Sequence, residues 1–123
     1  MHQLELPARN LARKSFGFES EVDAWVTQHA PWCNESDKAL MLAGCGLVEN
    51  QELDFALSVA KILGTLTKDI NLLITGFIYE SFCNNKVSSL TIEQTLGSTV
   101  NKLVLGVRKT ELELDLYKTY KHE

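Results

Sequence analysis

One stretch narrows what this chain can become more than any other: residues 72–79, reading LLITGFIY. At 3.6 residues per turn it is apolar on nearly every side, and such a helix has to be enclosed by other helices. It falls far short of the ~20 apolar residues that a bilayer demands, so the chain itself must supply the enclosure. A helix is predicted over about 68–82, with this stretch at the centre of the core.

The flanking segments read as helices able to enclose it. Val22, Trp25, Val26 and His29 follow the i, i+3, i+4, i+7 rhythm of one helix face, with Ser20 placed to cap the start and Pro31 to end it. A second helix is predicted over about 36–48, striped by Leu40, Ala43 and Leu47 and weakened in its last turn by Gly44 and Gly46. The third, capped by Asn50 and ended by Gly64, is the clearest amphipath. Leu53, Ala56, Leu57, Ala60 and Leu63 line one side, while Glu52 and Lys61 look elsewhere. After the polar loop NNKVSS, Thr91 and Gln94 match a capping box that opens a short helix closed by Gly97.

A last helix is predicted from Ser98 or Thr99, with Val100, Leu103, Val104 and Val107 in register. Its continuation ELELDLYKTY alternates in the rhythm of a strand, but a lone strand without a partner is unstable, so a helical extension is expected. The predicted fold is therefore all-α, a compact multi-helix bundle over residues 19–123. Its charged ending, YKTYKHE, has neither cap nor glycine, so the domain is expected to be truncated at its C-terminal end. Residues 1–18 are expected to be a flexible N-terminal segment, with a short basic amphipathic arm around Pro7, Arg9, Arg13 and Lys14 as the alternative.

A chain of 123 residues forms one core. The formal net charge is -4 and the 12 Lys and Arg are scattered, so no cationic stripe favours direct binding of nucleic acid. No stretch resembles an export signal or a membrane span. Cys33, Cys45 and Cys83 form no C-x-x-C pair and read as reduced packing thiols of a cytoplasmic protein.

Candidate chemistry is sparse. Three histidines, His2, His29 and His122, are all that could serve a nucleophilic triad, and His29 suits a helix C-terminus. Gly44 and Gly46 lack the continuation of a phosphate loop. Glu111, Glu113 and Asp115 could hold a hard cation, although a solvated helix face is the simpler reading. What remains is GFIYESFCN, which sets Tyr79, Glu80, Cys83 and Asn84 within little more than one turn of an apolar helix. An acid such as Glu80 in that setting calls for a reason.

Residues 70–109, INLLITGFIYESFCNNKVSSLTIEQTLGSTVNKLVLGVRK, resemble the N-terminal HD-type hydrolase domain of the long RelA/SpoT proteins, which make and degrade (p)ppGpp. That family shows a helix of the form A-A-L-L-H-D-V-x-E-D, a loop, a T-x-E-D-I helix and then F-G-x-E-V-A-x-L-V-E-G-V-T-K-L. Residues 75–84 overlie the first motif, Thr91 and Glu93 match the short helix, and Leu96, Gly97, Val100, Leu103, Val104, Gly106, Val107 and Lys109 fall on the last. The preceding DFALSVAKIL is similar to the family's H-P-x-x-V-A-x-I-L helix, and the likeness spans residues 53–109.

The departures from the family lie at its chemistry. Active members hold a divalent metal through a His, a His-Asp pair and a distant Asp; here those positions read Phe55, Tyr79 and Glu80, and the distant Asp would lie beyond Glu123. The E-D pair that works with the metal-bound water is replaced by Cys83 and Asn84. The resemblance thus implies a degenerate site with no catalytic, metal-binding or cofactor-binding residue and with the hydrolase Mn2+ lost. It implies a silent regulatory domain of a RelA-like GTP pyrophosphokinase, an ATP:GTP pyrophosphotransferase of the stringent response. The enzyme's Mg2+ would belong to a synthetase domain outside this chain. That synthetase domain is the implied partner, with the ribosome reached only through other regions and with no nucleic acid or membrane bound directly. Two alternatives stay open: an active nucleotide phosphohydrolase with a site rearranged around Glu80, Asn84 and Asp69, and an unrelated helical interaction domain.

Overall fold

The computed structural model describes residues 19–121, and among them every regular element is a helix: α1 (Glu19–His29), α2 (Glu35–Cys45), α3 (Asn50–Leu66), α4 (Ile70–Cys83), α5 (Ser89–Leu96) and α6 (Ser98–Lys121). The all-α bundle expected from the apolar periodicities is what the chain forms. The segment 1–18, with its alternative basic arm, lies outside the described residues, as do His2 and His122.

The bundle is organised around α4. Leu73, Ile74, Phe77 and Ile78 are all 1% exposed or less, as their all-round apolar setting requires. Leu72, at the start of the same run, remains 40% exposed, so the enclosure is complete only over the middle turns. Helix α3 runs antiparallel to α4. Glu52 near the start of α3 meets Ser81 near the end of α4, while Leu63 and Val59 lie against Gly76. A methyl group on Gly76 would strike the Leu63 side chain, so the two axes approach as closely as they do because no Cβ is present. Helix α2 covers another side of α4, its buried Gly44 facing Phe77 and Ile74.

Several boundaries differ from those expected, each for a local reason. Helix α1 already includes Glu19, so Ser20 lies in its first turn rather than capping it. Helix α2 is capped reciprocally by Asn34 and Asp37, and it stops at Cys45 where Gly46 closes it. The N-cap of α3 is Glu49, not Asn50, and the helix passes through Gly64 to end at Leu66. Gly64 is needed for tertiary packing rather than termination: a methyl group built there would stand 2.5 Å from the His29 carbonyl oxygen at the end of α1. The Gly64 carbonyl in turn accepts a 3.0 Å hydrogen bond from the indole N–H of Trp32.

Ser88, not Thr91, caps α5, its hydroxyl accepting from the Thr91 N–H at 3.1 Å. Gly97 does close that helix, with a φ of +100° that a side chain would resist. The corner lets α6 fold back against α5, where the buried Asn101 accepts from Ser89 and donates to Glu93, each at 2.9 Å. Val100 and Val104 seal the inner side of α6. From Lys109 to Tyr120 the helix is exposed throughout, and the alternating ELELDLYKTY is helical, as expected. No described helix is long and apolar enough to cross a membrane.

Candidate functional site

The five positions at which the resemblance places a lost metal site sit on two adjacent helices but do not form one cluster. Phe55 stands on α3 with 55% of its surface exposed. Tyr79, Glu80, Cys83 and Asn84 occupy the last turn and the cap of α4. A spacing of four residues places Tyr79 above Cys83 on one stripe and Glu80 above Asn84 on the next. The two stripes then recruit different partners, and Phe55 lies outside both hydrogen-bonded groups.

The first group closes over a buried carboxylate. Glu52 is 9% exposed and accepts from the Ser81 hydroxyl and the Asn84 side-chain amide, each at 2.7 Å. Asn84 also reaches Glu80 at 3.4 Å. Because Glu52 is three residues beyond the Glu49 cap, it also faces the positive end of the α3 dipole. Hydrogen bonds from Asn84 and Ser81, with the Lys86 ammonium nearby, hold its carboxyl below the usual carboxylate range despite burial. The amphipathic pattern of α3 predicts Glu52 pointing away from its apolar side. The structure places it inward, four residues before the buried Ala56, and that spacing was its visible signal.

The second group lies at the surface between α4 and α6. The Tyr79 hydroxyl donates to Glu111 at 2.6 Å, and Arg108 reaches the same oxygen at 2.9 Å. Partial burial pushes the phenol's pKa up first, and donation to the Glu111 carboxylate reinforces the shift, so the phenol stays protonated. Tyr79 and Arg108 conversely hold the Glu111 carboxyl low. Glu111, although exposed like Glu113 and Asp115 in the expected solvated run, is therefore engaged with the bundle.

The residues present do not fit the divalent metal that the resemblance implies for active relatives. Phe55 has no lone pair to offer, Tyr79 is a protonated phenol committed to Glu111, and the Asn84 amide donates its hydrogens to carboxylates. Among the described residues no three His, Cys, Asp or Glu side chains converge as a metal site would require. Asp69, the remaining acid of the rearranged alternative, is the N-cap of α4 and accepts from the Asn71 N–H at 2.9 Å. It lies eleven residues before Glu80 along α4, about 16 Å away, so the structure does not bring these acids together.

The other expected positions have structural surroundings. His29 ends α1 with its ring 4.9 Å from that of Trp25. Burial, with the Asp37 charge, raises the Cys33 thiol to about 11 and keeps it protonated at neutral pH. Cys45 is packed in the core. Beside the Glu52 group a cavity of about 650 Å³ opens between Leu47, Glu49, Phe82, Lys86, Ser88 and Thr91, and Lys86 is neutralised there by Glu49 at 3.3 Å. Compared with protein-family models, curated proteins and solved structures, the chain gives no match.

Proposed function

We propose that this chain is a helical module derived from an HD-type hydrolase, catalytically silent, that regulates a RelA-like (p)ppGpp synthetase by packing against it. One observation carries the reading. The positions corresponding to metal and water ligands are spent on internal hydrogen bonds, Tyr79 on Glu111 and Asn84 on Glu52. A ligand shell rebuilt as helix-to-helix fastening keeps the scaffold and gives up the chemistry. Regulation would then come from contacts that differ between two states of the synthetase, the one way a silent domain can bias an equilibrium. The purified chain, incubated with Mn2+ and ppGpp, is expected to release no pyrophosphate. Release at a rate that Tyr79→Phe or Glu80→Gln abolishes would overturn the reading. The gene read through to its stop codon is expected to encode a synthetase domain.

An interaction module unrelated to alarmone metabolism is the second reading, favoured by the leucines that α6 leaves exposed. It predicts a reading frame without such a domain.

A further inference from the structure

Large apolar side chains left in water on a helix that has outrun its bundle need a cover. Beyond Arg108, α6 continues for more than three turns with residues 109–120 all exposed, and an isolated helix of that length is marginal in water. Leu105, Leu112 and Leu116 are 43%, 46% and 70% exposed. At 100° per residue they fall within about 40° of one another, forming one straight seam turned roughly a quarter-circle from the inner face that carries Val104.

The charges beside this seam select the occupant. One flank carries Lys109 and then Glu113; the other carries Arg108 and then Asp115. Each flank reads basic first and acidic four to seven residues later, so it is complementary to itself when reversed. Laid antiparallel about an axis near residue 111, two copies of α6 place Leu105 opposite Leu116 of the second copy, with both Leu112 side chains close to the axis. The same register brings Lys109 to Glu113 of the second copy, and sets Asp115 of the second copy near Arg108, which keeps its bond to Glu111. The other exposed stripe of α6, with Val107 and Leu114, has Glu111 and Lys118 on one flank, but Glu111 is already held within the chain by Tyr79 and Arg108.

We infer that α6 pairs antiparallel with α6 of a second copy of this chain through the Leu105, Leu112 and Leu116 seam. With the axis near residue 111, the two helices overlap from about residue 101 to residue 121, about 21 residues or roughly 31 Å. The bundles then sit toward opposite ends of the pair, each beside the last turns of α6 of the other copy. A contact of this size falls below about 1,200 Å² in total, the range of weak and transient interfaces, so the pair forms reversibly with concentration. This inference is independent of the alarmone reading.

Sedimentation of the full 123-residue chain from micromolar to submillimolar concentration is expected to show a monomer passing reversibly into a dimer. Leu112→Asp is expected to leave a folded monomer throughout, while Leu114→Asp dimerises as before, circular dichroism confirming that both variants remain helical. Lys109→Glu and Glu113→Lys should each weaken association about tenfold. Mixing those two variants should restore it as a heterodimer, resolved by native mass spectrometry, because only the mixture re-pairs opposite charges between chains. A chain monomeric at every concentration would overturn the proposal. So would a dimer lost with Leu114→Asp but kept with Leu112→Asp, or a mixture no tighter than its components.

Discussion

The two polar groups on α4 start from neighbouring stripes of one helix and end in different physical regimes. Glu52, Ser81 and Asn84 meet beneath the surface, with Ser81 only 1% exposed and each bond at 2.7 Å. Tyr79, Glu111 and Arg108 meet at the surface between α4 and α6, where water reaches them. A buried acceptor cannot be replaced by solvent, so its loss strands the donors it served. A surface acceptor can be replaced, and its loss changes little. Tyr79 and Asn84, both polar residues at the end of α4, thus carry unequal structural weight.

Glu52→Ala is the strongest test of this contrast. It leaves the Ser81 hydroxyl without its acceptor and is expected to cost about 2 kcal/mol in urea unfolding, within the range for a stranded buried polar group. Next comes pH. The folded carboxyl of Glu52 is held below its ordinary value of 4.5, so its contribution is fully present above that value and fades as the pH falls from about 5 through the folded pKa. Unfolding midpoints measured down the acid side should therefore fall more steeply for the native chain than for Glu52→Gln. The smallest effect belongs to Tyr79→Phe, since Arg108 still holds Glu111 at 2.9 Å and water can take the place of the hydroxyl. Its midpoint shift should be several-fold smaller than that of Glu52→Ala. Equal costs for the two would erase the distinction.

Much of this was legible in the chain. The all-round apolar character of residues 72–79 announced a central helix, and Gly97 announced a corner. Gly64 read as a stop because its true reason is the carbonyl of His29, thirty-five residues earlier, and no local pattern encodes such a crossing. Thr91 read as a cap because Ser88 and Thr91 are both capable of it, and only the backbone geometry decides between them. At the candidate site, Tyr79 and Asn84 stand out in the sequence as polar residues in apolar company, but their partners Glu111 and Glu52 arrive from other helices. Glu52 carried a usable signal in its spacing to Ala56. Its charge argued against burial more loudly than its register argued for it, since a lone acid is seldom interior without donors waiting.

The crossing at Gly64 has an optical corollary. The chain holds two tryptophans, and both lie at this junction: Trp25 beside the His29 ring, and Trp32 bonded through its indole to the Gly64 carbonyl. Native emission is therefore a local gauge of whether α1 is seated on α3, blind to α5 and α6. Far-ultraviolet ellipticity sums over every helix. Heating curves recorded by the two signals either superimpose, and the seating of α1 belongs to the one cooperative unit, or separate, and α1 lifts away while the rest of the bundle stands.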